Sequence, residues 1–142
     1  MTTTTDLPAT RGVLDVDGQI AALQAGVELL ARLRGLRVPL YITVHPSDGR
    51  TPTSLKALIT ALGHGPDDEY DDDVRLVRLC LAAGALDGPA TYPTAGEDPS
   101  LPQVHGALNG VPVTLYTSIK TETVQARVPG VLAAESARAE SR

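Results

Sequence analysis

The sequence predicts an α+β fold: a two-layer sandwich with a three- to four-stranded, mainly antiparallel sheet and two to three helices on one face. Three observations carry this expectation. Residues 103–119, QVHGALNGVPVTLYTSI, alternate apolar and polar side chains about Asn109-Gly110, the pair that most readily takes the positive φ of a two-residue hairpin turn. Val38–Val44 alternates in the same way. Three other stretches space their apolar residues three and four apart, the period of a helix lying on a surface.

Taken in order, residues 1–11 form a Thr-rich polar leader, too poor in apolar side chains to order itself. Gly12–Val16 reads as a very short strand, ended by Asp17-Gly18, with Asp17 as the cap of the next helix. That helix spans Gln19–Arg34. Ile20, Leu23, Val27, Leu30 and Ala31 mark its dry side, Gln24, Glu28 and Arg32 its wet side, and Gly35 its end. In the strand Val38–Val44, Tyr41, Thr43 and His45 share the face opposite Leu40, Ile42 and Val44. Pro46-Ser47-Asp48-Gly49 is a turn by composition. Thr51-Pro52-Thr53-Ser54 supplies a helix start, and Leu55, Leu58, Ile59 and Leu62 follow at helical spacing before Gly63-His64-Gly65-Pro66 stops the run. The acidic run Asp67–Asp73 precedes a helix over Val74–Ala83 that buries Val74, Val77, Cys80 and Leu81. Asp87–Pro102, rich in Gly, Pro and Thr, reads as a long loop. In the hairpin, Leu108 should face Val111, Gly106 Val113 and Val104 Leu115. This places Val104, Leu108, Val111, Val113, Leu115 and Ile119 inside, and His105, Thr114 and Tyr116 outside. Pro129-Gly130 reads as a break, so 12–128 forms the single α+β domain and 129–142 a tail or short helix.

Composition narrows the function classes. With 142 residues the chain fills one domain. It has no Trp and no Phe, so its core must be aliphatic. A net charge of −5 argues against nucleic acid, whose backbone calls for clustered Lys and Arg. Cys80 is the single cysteine. It excludes an internal disulfide and a cysteine zinc site, and reads as a buried, inert thiol in a reducing cytoplasm. No apolar run reaches the length of a membrane span.

Three groups of residues carry chemistry. VLDVDGQI, AGVELLARLRGLRVPLYIT, DGRTP and TSLKALITALG together resemble the first half of a haloacid-dehalogenase-type phosphatase. In that family a strand ends in Asp-x-Asp-Gly and a second strand ends in Thr or Ser. The resemblance implies Asp15 as the nucleophile, Asp17 as the general acid/base and Thr43 as the holder of the transferred phosphoryl group, with Mg²⁺ neutralising charge. It also implies that the strands carrying Asp15 and Thr43 are parallel neighbours. The family's later lysine and later magnesium-binding acidic pair have no counterpart in that order, because Lys120 follows Asp71–Asp73.

The second group is Asp67–Asp73, whose carboxylates suit either a hard cation or the positive end of the following helix. The spacing lacks the alternation and the glycine of a calcium loop. The third group is the polar sheet face: Tyr41, Thr43 and His45 from one strand, His105, Thr114 and Tyr116 from the hairpin. Such a face can meet solvent, a small ligand, a metal held through both histidines, or a protein surface. With no complete catalytic constellation, the sequence reads as a small binding module without catalytic activity, cofactor or metal. It would self-associate or dock a protein partner through its sheet.

Overall fold

The computed structural model describes residues 15–60, 68–92 and 98–140. Asn109 and Gly110 reverse the chain with φ of 52° and 80°, the left-handed pair that a tight turn between twisted strands demands. They join β4 (Gln103–Leu108) to β5 (Val111–Tyr116). Leu108 pairs with Val111, Gly106 with Val113 and Val104 with Leu115, the expected register. Val104, Leu108, Val111, Val113, Leu115 and Ile119 are all buried.

The sheet is larger than expected: five strands in the order β1-β2-β5-β4-β3, mixed and mostly antiparallel. The stretch read as the Leu55–Leu62 helix, whose Leu62 lies outside the described residues, is up to Ile59 the strand β2 (Ser54–Ile59). It buries Leu55, Ala57 and Ile59 on alternate positions, and it lies parallel to β5 with Leu55 beside Val113 and Ala57 beside Leu115. Its other side pairs antiparallel with the edge strand β1 (Leu40–His45), Ile42 facing Ala57. The stretch read as the Asp87–Pro102 loop contains β3 (Asp87–Thr91), antiparallel to β4. Leu86 leads into β3 and fills the place a side chain at Gly106 would occupy: a Cβ there would meet Leu86 Cδ1 at 2.7 Å.

The first helix, α1, runs over Val16–Leu33 and continues as a 3₁₀ turn, Arg34–Leu36. Its cap is Asp15, not Asp17, whose carboxylate accepts from the Gly18 amide at 3.0 Å. Of the short strand expected over Gly12–Val16, Val16 is helical and Asp15 is the helix cap, and residues 12–14 lie outside the described residues. The buried side of α1 is also not the expected one. Ala22, Ala25, Gly26, Leu29 and Leu33 face the sheet, while Ile20, Leu23, Val27 and Leu30 are exposed. Small side chains let the helix sit close. A Cβ on Gly26 would lie 3.4 Å from Ile42 Cγ2, so the closest part of the seat belongs to Ala22, Ala25 and Gly26, with Leu29 and Leu33 filling the space beyond it.

The second helix, α2 (Asp68–Ala83), starts within the acidic run. It too is rotated: Leu76, Leu79, Ala82 and Ala83 are buried, and Val77 and Leu81 are exposed. A third helix, α3 (Glu122–Glu140), continues through Pro129, where a break was expected. Val124, Val128, Leu132 and Glu135 are buried on both sides of the proline. That packing outweighs the roughly 3 kcal/mol a proline costs inside a helix. One aliphatic core unites all these elements and extends to Leu132.

Asp72 fixes the helices to the sheet. Fully buried, it accepts from the Lys120 amide at 3.0 Å, the Thr121 amide at 2.8 Å and the Thr121 hydroxyl at 2.9 Å. Arg75 donates to its other oxygen at 2.9 Å. The carboxylate therefore satisfies the amides just before α3 from within α2. At the opposite end of the sheet Asp87 accepts from the Asn109 amide at 2.8 Å and from Arg32 Nη1 at 2.7 Å. These bonds, the Asn109 amide foremost, hold its carboxyl below the usual aspartate range.

Replacing Asp72 with Ala should lower unfolding free energy in urea by about 3 kcal/mol, because Arg75 loses its buried partner and the α3 entry loses its acceptor. The Asp87 carboxyl has a depressed folded-state pKa, so its contribution is present above the unfolded-state value and lost as pH falls through the folded one. Stability measured below about pH 4 should therefore fall less steeply in Asp87→Asn than in the wild type.

Candidate functional site

Because side chains alternate along each strand, the residues between the buried ones form a second face. The register aligns them in rows. Tyr41 sits beside Leu58, Leu58 beside Tyr116, and Tyr116 beside Gln103. The next row runs Thr43, Lys56, Thr114, His105 and ends at Thr91. A third carries His45 beside Ser54, with Pro112 beside Ala107. All six residues expected on the polar face are thus brought onto one surface. Sequence reasoning missed Ser54, Lys56, Leu58 and Gln103. The first three were hidden by the helical reading of β2.

The chemistry of this face is specific. Tyr41 is 69% exposed, and Leu58 and Tyr116 beside it are partly exposed. His105 Nδ1 lies 3.1 Å from Thr114 Oγ1, which orients the imidazole along the row. Lys56, in the middle of the face, is flanked by two hydroxyls. The outward positions of β1, β2, β5 and β4 carry this lysine and two histidines but no carboxylate, in a chain of net charge −5. His45 and His105 lie on strands three spacings apart, about 14 Å. They cannot ligate one ion, which removes the shared-histidine metal option. Among the described residues no group of three His, Cys, Asp or Glu side chains gathers to hold a metal.

The phosphatase residues are placed differently. Asp15 caps α1 and accepts from the Thr53 hydroxyl, and Thr53 Oγ1 in turn accepts from the Ser47 amide at 3.0 Å. Asp17 is exposed in the first turn. Thr43 lies on β1, whose sheet neighbour is the antiparallel β2. Among the described residues Asp15 is a helix cap and β1 pairs with β2 alone; residues 12–14, which the resemblance makes a strand beside Thr43, lie outside the described residues.

The acidic run is partly absorbed by structure. Asp72 holds the α3 entry, and Arg127 pairs with Glu69 at 3.3 Å and Asp73 at 3.1 Å. Asp67 and His64 lie outside the described residues.

A concavity of about 280 Å³ opens between α2 and α3 and is lined by Val77, Cys80, Leu81, Gly84, Val131, Glu135 and Arg138. Burial pushes the Cys80 thiol up to about 12, with Glu135 adding to the effect. At pH 8 Cys80 should react with a disulfide reagent at least about 100-fold more slowly in the native protein than in guanidinium; equal rates would show an open groove and an accessible thiol.

No helix among the described residues is long and apolar enough to cross a membrane. Comparison with protein-family models, with curated proteins and with solved structures finds no match to this chain, so the functional reading rests on the open sheet face and its neighbours.

Proposed function

We propose that the protein is a small non-catalytic interaction module whose partner is another protein, docked on the open face of its sheet. The observation that supports this reading is the registered surface of Tyr41, Leu58 and Tyr116 beside Thr43, Lys56, Thr114 and His105. Tyrosines over a partly exposed leucine provide rigid contact area at low entropic cost, and a lysine framed by hydroxyls provides one charge with flanking donors and acceptors. A partner that fits it presents an apolar side chain over Leu58 and a carboxylate opposite Lys56. Tyr41, Thr43, His45 and His105 on this face are exposed, which supports such a partner's access to it.

The test is affinity capture from cells with the wild type, Tyr41→Asp and Lys56→Glu. Both positions are partly or fully accessible, so both variants should keep the wild-type circular dichroism and melting curve. Each should lose the captured partner by about 2 kcal/mol, roughly 30-fold in affinity. Capture should also weaken as salt is raised. A partner recovered equally by all three chains would sink this reading.

A further inference from the structure

Leu29 and Leu33 of α1 enter the core, but five other large apolar side chains of the helix point away from it. Val16, Ile20, Leu23, Val27 and Leu30 are each between 47% and 69% exposed. They are spaced four, three, four and three residues apart, which is the seam of a two-stranded coiled coil rather than a scatter of surface residues. The stripe runs along most of an 18-residue helix. It exposes roughly 500 Å² of apolar side chain, near the upper limit for a patch left bare on a monomer. Arg32, on the other flank, reaches Ala85 and Asp87, so that flank is occupied and the stripe faces elsewhere.

We infer that a second copy of this chain covers the stripe, with the two α1 helices packed antiparallel about a two-fold axis near Ala25. The spacing and the terminal charges both favour that occupant. In an antiparallel pair each a position meets a d position of the other helix. Ile20 then packs on Leu30 of the second copy and Leu23 on Val27. The next layer sets Val16 against Arg34, whose stem covers the valine while its guanidinium reaches Asp17 of the second copy. Symmetry repeats this ion pair at the other end. Asp17 and Arg34 are both exposed, and neither has an ion-pair partner among the described residues. A parallel pair would instead bring Arg34 against Arg34 and hold it a helix length away from Asp17. The stripe supplies more than half of the roughly 800 Å² each partner buries in a stable dimer. The exposed flanks of Gln24, Ala31 and Arg34 adjoin it.

This interface is independent of the sheet face, and the test separates them. Sedimentation equilibrium of the wild type should give twice the 14.8 kDa chain mass. Leu23→Asp should raise the dimer dissociation constant at least about 100-fold with unchanged circular dichroism, whereas Tyr41→Asp should leave it unchanged. Asp17→Arg alone should weaken the dimer, and Asp17→Arg with Arg34→Asp should restore it. Should Leu23→Asp fail to fold, the charge exchange still decides. A monomeric wild type, a dimeric and folded Leu23→Asp, or a double exchange no tighter than the single one would overturn the assignment.

Discussion

The parallel pairing of Ser54–Ile59 with Val111–Tyr116 is the constraint from which the rest of the architecture follows. Parallel neighbours cannot be joined by a tight turn, so the chain between them must cross over. It does so through α2 and then adds β3 and β4 before β5 can arrive. The pairing makes β5 central and leaves β1 and β3 as the two edges. It also sets Lys56 level with Thr114 and Leu58 level with Tyr116. Residues from both halves of the sheet therefore share one surface.

Polar contacts close the ends of this arrangement. The Thr117 hydroxyl donates to the Ile59 carbonyl at 2.8 Å in a buried position, locking the ends of the two parallel strands. Arg78 reaches the Thr60 carbonyl at 3.1 Å, which anchors α2 to the exit of β2. Asp72 and Asp87 do the same for the α3 entry and the hairpin turn. The core is aliphatic, with Tyr92 as its aromatic member. Close approach at Gly26 and Gly106 replaces the bulk that aromatic rings would otherwise supply.

Local chemistry was legible in the sequence; competition between elements was not. Asn109-Gly110 dictates its own geometry through φ, and the alternation on either side leaves one register, so β4, β5 and their two faces follow directly. Ser54–Ile59 satisfies two templates at once. Leu55, Leu58 and Ile59 fit a helix, Leu55, Ala57 and Ile59 fit a strand, and Lys and Ala favour the helix locally. The choice is made by β5, some distance along the chain, and nothing within six residues reports it. The helix faces were misread for a related reason. On α1 and α2 two apolar stripes compete, and the one that reaches the sheet combines leucines with small residues that allow close seating: Leu29 and Leu33 with Ala22, Ala25 and Gly26, and Leu76 and Leu79 with Ala82 and Ala83. The six residues of the polar face that come from β1 and the hairpin were legible because they depend only on alternation. Lys56 and Leu58 depend on the fate of β2 and were not.

The distance between the parallel strands has a consequence for biosynthesis. Thr117 and Ile59 are 58 residues apart. At ribosomal rates of about 5–20 residues per second, β1 and β2 emerge on the order of several seconds before β5 exists to pair with them. During that interval the inner edge of β2 presents unpaired amides and carbonyls beside Leu55, Ala57 and Ile59. An unpaired strand edge is the kind of surface on which chains mispair, and the rate of synthesis sets how long β2 exposes it.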